Sequence, residues 1–367
     1  MTDKGSERLQ ELRVKLTDID SQVLSLLNER AQCSIEIGEV KGGASDEILR
    51  PGRERELLER LVQRNDGPLP AEHLLLIYRE IISSSRALQQ EQRVAYLGPE
   101  GTFSHVAGIE YLGEAVHFEP QNGFEAIFRA VEAKSCDYGI VPLENSLQGG
   151  VGPALDLFLT HDVLIKSEFY CRIRHSLLSC ARSLSEIKTV YSHAQPLMQC
   201  GKWLTKHLPD AKRVAVDSSA AAARMVADDP ESAAIAHIAL ADKLSISVMA
   251  EGIEDMPNNW TRFALIGLIP SDRPGPDKST LLFSVSDRPG SLAAVLGALA
   301  ARGINMKKLE SRPLSGVSGK CWQYVFFVDV ECDIEDPRYQ GVMEELKPHC
   351  EILRLLGCYP AGKFTYE

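Results

Sequence analysis

The sequence predicts a multidomain chain in three parts: an all-α helical unit, an α/β unit of two lobes, and an α+β ferredoxin-like unit. Three observations predict it. Residues 5–92 read as helix throughout, and residues 93–270 alternate short β-rich runs with helical ones. Residues 271–278 are rich in proline and glycine, which resist both helix and central strand. The last ~85 residues then run strand, helix, strand, strand, helix, strand. The units accordingly cover residues 1–92, 93–270 and 271–367.

Composition bounds the function. At 367 residues the chain can bury more than one core. Its formal net charge of -11 argues against nucleic-acid binding, which needs a basic surface. Residues 1–10 are polar, unlike a signal peptide, and no run approaches the roughly 18 apolar residues of a membrane span. The nine cysteines are scattered, without a C-x-x-C pair or a zinc-finger histidine, which fits free thiols in a reducing cytoplasm. Neither a metal site nor a cofactor is expected, and a cytoplasmic protein is.

Within residues 9–40 there is no proline. An apolar line recurs in steps of three and four: Leu9, Leu12, Leu16, Ile19, Val23, Leu26, Arg30, Cys33, Ile37, Val40. The helix would be nearly 50 Å long at about 1.5 Å per residue. Two shorter helices follow Pro51 and Pro70, over residues 53–63 and 72–89, each proline suiting a first turn. Two short helices cannot cover so long a stripe, so two copies of the chain are expected to bury one another.

Arg30 breaks the apolar seam, and a buried guanidinium needs a partner. An internal ion pair to Glu54 or Glu29, or a snorkelling side chain, would serve. Lys41, however, lies three turns on along nearly the same face, with Arg13 upstream on an adjoining one. Two long cations about 16 Å apart at their Cα atoms can bracket a small dianion. On the third helix Tyr78, Ile82, Ser85 and Gln89 share a face, so its stripe ends in polar donors. Cations and donors converging on an apolar seam describe a ligand pocket.

Arg13, Arg30, Lys41, Arg53-Glu54, Ser85 and Gln89 together resemble the all-helical chorismate mutase family over about the first 90 residues. The resemblance implies an intertwined dimer in which Arg13 enters the other subunit's site. Arg13 and Arg30 would hold the substrate's two carboxylates and Glu54 its hydroxyl, with Arg53 and Ser85 also binding substrate. Rearranging chorismate to prephenate needs no nucleophile, metal or proton transfer, only a held conformer and stabilised charge on the ether oxygen. Lys41 and Gln89 suit that oxygen. Some relatives carry an aspartate where this chain has Arg50-Pro51-Gly52.

In the middle unit, small polar residues follow successive strands, where open α/β sheets bind ligands. The runs are Arg93-Val-Ala-Tyr-Leu-Gly-Pro-Glu-Gly-Thr-Phe-Ser104, Tyr138-Gly-Ile-Val-Pro-Leu-Glu-Asn-Ser146, Val190-Tyr-Ser-His-Ala-Gln195, Val214-Ala-Val-Asp-Ser-Ser-Ala220 and Asn259-Trp-Thr-Arg-Phe263. A single run would be read as turn and cap chemistry; five in one unit point to a shared cleft between two lobes. A return of the chain to the first lobe near residues 249–268 would complete them.

Gly98-Pro-Glu-Gly-Thr-Phe-Ser104, Glu144-Asn145-Ser146, Ser192-His193-Ala194-Gln195 and Thr261-Arg262-Phe263 resemble prephenate dehydratase, over residues 93–270. The resemblance implies a two-lobed fold like that of periplasmic solute-binding proteins. It marks Thr261 as the leading catalytic residue, with Glu144, Asn145, Ser192 and Gln199 assisting. Thr102, Ser104, Ser146, Gln195, Ser218, Arg262 and Phe263 are expected to bind substrate, Arg262 through its planar fork on a carboxylate. His193 titrates in the right range for a general acid but lacks a carboxylate orienter, and is read as structural or supporting. Ala194 replaces a proline common in relatives.

The last unit is expected as strand 280–286, helix 291–302, strands 305–313 and 323–330, helix 339–349 and strand 351–356. Many functions share this sandwich, so its topology alone assigns none. Asp287-Arg-Pro-Gly-Ser-Leu292 and Glu310-Ser-Arg-Pro313 resemble the amino-acid-binding loops of ACT regulatory domains. The resemblance implies phenylalanine as feedback inhibitor, held by Gly290, Leu292, Glu310, Ser311, Arg312 and Pro313 across a domain dimer.

Together the resemblances imply a bifunctional chorismate mutase–prephenate dehydratase, with chorismate and prephenate as substrates, assembled as a homodimer or tetramer. A dehydratase whose helices only dimerise is disfavoured by the joint presence of Arg13, Arg30, Lys41, Glu54 and Gln89. A non-enzymatic solute-binding or amino-acid-sensing protein is disfavoured by Thr261 and the polar start.

Overall fold

The computed structural model describes residues 3–41, 48–272, 277–313 and 324–362. Helix α1 spans Asp3–Lys41, about 58 Å at the usual rise. It exceeds residues 9–40 because the polar residues before Leu9 contain no proline and continue the turn through Gly5. Helix α2 covers Pro51–Gln63, starting at the proline, and α3 covers Ala71–Gln89 along the second half of α1. Leu49 is 1% exposed and joins a core with Val94, Tyr96, Leu112 and Phe263, which fastens the helices to the next unit.

That unit begins with β1 (Arg93–Leu97), β2 (His117–Gln121), β3 (Tyr138–Asn145), the short β4 (Gly149–Gly150) and β5 (Leu164–Arg172). Helices α4 (Phe103–Leu112), α5 (Phe124–Glu132) and α6 (Gly152–Leu157) connect them. The chain then crosses to a second lobe of β6 (Ser176–Ser179), β7 (Thr189–Ser192), β8 (Lys212–Ala215), β9 (Ser232–Ala236) and β10 (Ser247–Glu251). This lobe carries α7 (Ala194–Gln199), α8 (Gly201–His207), α9 (Ser219–Met225) and α10 (Ala239–Leu244). The expected return is found: β11 (Trp260–Gly267) inserts into the first sheet. The strand orders are β2-β1-β3-β11-β5, with β4 beside β3, and β10-β6-β9-β7-β8.

The last unit comprises β12 (Asp277–Ser284), α11 (Ser291–Ala301), β13 (Met306–Pro313), β14 (Tyr324–Val330), α12 (Val342–Leu346) and β15 (Ile352–Pro360). Its antiparallel order, β13-β14-β12-β15, is that of a ferredoxin-like sandwich. Helix α12 is shorter than residues 339–349 because Pro348, which has no N–H, sits in a separate 3-10 turn. Strand β15 runs beyond residue 356 because its second half packs on the first lobe's β5. Leu282, Val325, Phe327, Leu356 and Tyr359 of the sandwich share one core with Ile127, Phe128, Val141 and Ile266 of that lobe. The two units are therefore packed as one body on this face.

Candidate active sites and their regulatory contacts

A cleft of about 470 Å³ lies between the two lobes. The loops after β1, β3, β7 and β8 reach it from both sheets, as strand ends do in open α/β folds. Thr102, Ser104, Asn145, Gln195, Gln199, Ser218, Thr261 and Phe263 line it, so the fold brings these expected residues together. Among the described residues, its wall holds no lysine or arginine. The polar groups on the wall are hydroxyls, amides, the His175 and His193 imidazoles and the Asp217 carboxylate, with the N-terminus of α4 beside them.

Thr261 is 8% exposed and accepts a hydrogen bond from Asn145 Nδ2 at 3.0 Å. A hydroxyl has one proton, so with its oxygen engaged as acceptor the Thr261 O–H remains as a donor to a ligand. Asn145 Nδ2 also donates to Asn259 Oδ1 at 2.7 Å and to the Trp260 carbonyl at 3.2 Å. Two buried polar wall residues were absent from the expected set. His175, 1% exposed, has Nε2 2.8 Å from Gln199 Oε1, and Asn259 Nδ2 donates to the same oxygen at 3.4 Å. Burial holds the His175 imidazole below its ordinary pKa, against the raising effects of Gln199 and Glu254. Both residues sit on the two crossings between lobes, where sequence shows only a histidine after a strand and an asparagine before one.

Several expected residues lie elsewhere. On β11, side chains alternate, so Thr261 and Phe263 face the cleft and Arg262 the opposite side. Arg262 is buried 2.7 Å from Glu168 and 2.6 Å from Asp329 of β14, and donates to the Tyr359 hydroxyl at 3.2 Å. It therefore does not reach a substrate carboxylate in this arrangement. Glu144 follows the same face: a bulge in β3 beside Phe263 leaves it 2.9 Å from Lys308 of β13, while Asn145 turns inward. Ser192 is fully buried, and its hydroxyl donates to the Ile235 carbonyl at 2.6 Å, tying β7 to β9. Ser146 donates to the Asn258 carbonyl at 3.1 Å and accepts from Trp260 N at 2.9 Å, closing the loop after β3 on β11. Within the cleft, Thr102 donates to the Leu97 carbonyl at 2.8 Å and Gln195 Nε2 to Gln148 Oε1 across the lobes at 2.7 Å. His193 accepts from Gln195 N at 3.4 Å as the cap of α7.

Arg262, Lys278, Glu168 and Asp329 form a charge-balanced buried cluster between the first lobe and the sandwich. Burial would raise the Asp329 carboxyl, but Arg262, Lys278 and the Thr280 hydroxyl outweigh it and bring the pKa down to about 2. The unfolded value is near 3.9, so this contribution is present above that pH and lost as pH falls toward the folded value. Stability is expected to drop by about 2 kcal/mol through this one group between pH 4 and 2. Asp329→Asn should flatten that part of an acid-unfolding curve; an unchanged curve would show that Asp329 does not set the acid response.

In the helical unit, Arg30 Nη1 donates to the Ser85 hydroxyl and to the Ile81 carbonyl at 3.3 Å. Neither Glu54 nor Glu29 takes it. Glu54 is 2.6 Å from Arg86, a buried residue that also donates to the Leu112 carbonyl of the next unit. Burial raises the Glu54 carboxyl above its ordinary range more than Arg86 lowers it. Gln89 Nε2 donates to the Ser85 carbonyl at 3.2 Å, on the face that Arg30 meets. Lys41 is the last residue of α1, and Arg13 lies about 26 Å from Arg30 along it, out of reach of the same site. Arg53 is exposed, but its backbone N–H and that of Gly52 donate to Asp272 at 3.0 Å each. The start of α2 is thus capped by the linker that follows β11, a contact no local pattern could announce.

The expected regulatory residues divide between faces. Gly290 adopts φ +86° before α11, a left-handed conformation that favours glycine, and Leu292 is half-buried against the sandwich core. On β13, Ser311 and Pro313 are exposed, whereas Lys308, Glu310 and Arg312 point toward the first lobe. Arg312 grips Asp156 at 2.9 and 3.2 Å. A Cβ on Gly150 would lie 1.9 Å from the Glu310 carboxylate, and one on Gly152 2.3 Å from the Arg312 guanidinium. Gly150 and Gly152 also line the cleft, so the sandwich presses directly on the back of the cleft wall.

Residues 12–90 match the family model described as chorismate mutase type II, residues 94–270 that of prephenate dehydratase, and residues 279–347 that of the ACT domain. A protein of Aquifex aeolicus named bifunctional chorismate mutase/prephenate dehydratase is 40% identical over 96% of this chain and 98% of its own length. A protein of the same name from Stutzerimonas stutzeri is 41% identical over 97% and 98%. The crystal structure of prephenate dehydratase from Arthrobacter aurescens, in complex with L-Phe, aligns with TM-score 0.66 at 32% identity, covering 73% of this chain and 89% of that one. The chain is therefore an enzyme of the bifunctional chorismate mutase/prephenate dehydratase family, with the mutase, dehydratase and ACT units in that order.

Proposed function

We propose that the helical unit rearranges chorismate to prephenate, that the interlobe cleft converts prephenate to phenylpyruvate, and that phenylalanine bound to the ACT unit inhibits the second step. The observation that carries this reading is the presence on one chain of both constellations, Arg30 with Ser85 on the helical seam and Asn145 with Thr261 in the cleft.

The first reaction is an internal rearrangement, so the protein's part is to hold the compact conformer and favour charge on the ether oxygen. Arg30, aimed by Ser85 and Ile81, supplies a carboxylate anchor, and Lys41 and Gln89 are the donors to the ether oxygen. Glu54 gives one oxygen to Arg86 and keeps the other for the substrate hydroxyl. Arg13 completes the site from a second copy. Supporting that pairing, Leu12, Leu16, Val23 and Leu26 of α1 are exposed by 44, 59, 47 and 64% in the single chain. An apolar stripe of that length is covered by another α1. Leu16→Glu with Leu26→Glu should halve the mass seen by light scattering and abolish mutase turnover; an unchanged mass would overturn the α1 pairing.

In the second reaction the ring hydroxyl leaves with a proton as water while the ring carboxylate leaves as CO₂, and the electron pair from the broken C–C bond completes the aromatic ring. Thr261 donates to the departing oxygen, with Asn145 fixing its rotation. Glu144 and Arg262 serve the reaction from behind the wall, through the contacts between lobe and ACT unit. The press of Glu310 and Arg312 on Gly150 and Gly152 supports a short path from inhibitor to cleft. Cytoplasmic residence is supported by the unpaired state of the eight described cysteines and by the absence, among described residues, of a helix long and apolar enough to cross a membrane.

Supplying chorismate alone and prephenate alone, while following both products, tests the reading. Prephenate should appear from chorismate and phenylpyruvate from either, and phenylalanine should slow only the dehydration. Arg312→Ala should weaken that inhibition at least several-fold. A protein that turns over neither substrate would overturn the proposal.

A further inference from the structure

The orientation of three amides in the cleft, those of Asn145, Asn259 and Gln199, follows from one backbone donor. Leu147 N–H donates to Asn145 Oδ1 at 3.1 Å, which fixes that amide and turns its Nδ2 toward Asn259 Oδ1 and Thr261 Oγ1. Asn259 must then present Nδ2 to Gln199, which makes Gln199 Oε1 an acceptor. His175 lies 2.8 Å from that oxygen, so its Nε2 carries the proton. A neutral imidazole has a single N–H, and His175 Nδ1 is left as a buried lone pair without a protein partner. Gln199 Nε2 is left as a buried donor without one. Leaving a buried donor unpaired is costly, and an oxygen of a bound ligand would recover that cost.

The chain of bonds also joins the halves of the site. Asn145 and Thr261 belong to the first lobe, Gln199 to the second, and His175 and Asn259 to the two crossings between them. The crossings are tied together: Ile173 N donates to the Asn259 carbonyl at 2.8 Å, Ile253 N to the His175 carbonyl at 3.1 Å, and His175 N to Glu254 Oε2 at 2.9 Å. The His175 ring is held edge-to-face by Phe103, with centroids 5.3 Å apart.

We propose that His175 is a positioning residue for dehydration: its Nε2–H holds the Gln199 amide so that the Gln199 N–H faces a substrate oxygen, in register with Thr261 across the lobes. The inference rests on the cleft being the dehydratase site. Low burial-driven basicity agrees with it, since a neutral ring donates from one nitrogen only.

The full-length protein tests it, with chorismate mutase turnover as the internal control for folding, because His175 lies outside the helical unit. Glutamine can place an N–H where His175 Nε2 stands; asparagine is too short. His175→Gln should keep dehydration within about fivefold of wild type, whereas His175→Asn should lower kcat at least tenfold with a smaller change in KM. Gln199→Glu keeps the acceptor for His175 but removes the outward N–H, and should lose as much as Gln199→Ala. In the Gln199→Ala background, His175→Asn should add less than twofold. Equal losses in His175→Gln and His175→Asn, multiplying effects in the double variant, or full activity of Gln199→Glu would each overturn the proposal. A wild-type protein that leaves prephenate unchanged would instead overturn the reading of the cleft.

Discussion

Thr261→Val is expected to lower turnover of prephenate by about 10²–10³-fold while leaving chorismate turnover unchanged, the scale for loss of one aimed donor to developing charge. Valine keeps the branched shape of the residue, which is 8% exposed, so packing should survive. What it removes is the oxygen that accepts from Asn145 and the hydroxyl proton left as a donor in the cleft. Asn145 Nδ2 keeps Asn259 and the Trp260 carbonyl as acceptors, so the amide should hold its orientation. Thr261→Ser restores the hydroxyl and should recover activity to within about tenfold of wild type. A valine variant with near-normal kcat would remove Thr261 from the reaction, whatever its place in the wall.

Arg30→Ala should produce the complementary loss, with chorismate turnover down about 10²-fold or more and prephenate turnover intact. Arg30 bonds Ser85 and the Ile81 carbonyl on the adjacent helix, which points its planar fork along the seam. Arg30→Lys keeps the charge but not the fork, and should recover only part of the activity. Steady-state assays on the two substrates check both variants. Comparable loss of both activities in either folded variant would refute separate sites.

Much of this organisation was legible before any coordinates. Proline-free apolar periodicity located α1, and Pro51 and Pro70 located the starts of the helices after it. The short strands of the middle unit and the βαββαβ order of the last were equally readable. The failures are local and have causes. Pro348 broke a helix that periodicity would have continued, and β15 outran its pattern because its end packs on another unit. His175 and Asn259 carry no signal beyond a polar residue beside a strand. Arg86, which takes Glu54, and Asp272, which caps α2, act on residues 32 and 220 positions away, which no window on the sequence spans.

The string Thr261-Arg262-Phe263 marks the division most clearly. The structure starts β11 at Trp260, so these three residues lie on the strand and face alternate ways; the sequence by itself determined only that a strand follows them at 264–268 and that Arg30 must find partners on an apolar seam. It could not say which face of β11 is the cleft. Only the tertiary structure decided that, by laying the ACT sheet against one side of the lobe and opening the other between lobes. Arg262 thereby went to a buried ion cluster, Glu144 to Lys308 on the same side, and Thr261 and Asn145 to the cleft, although the residues adjoin in sequence. The reason is physical: alternation is a property of the strand, whereas burial of a charge depends on what is packed against it.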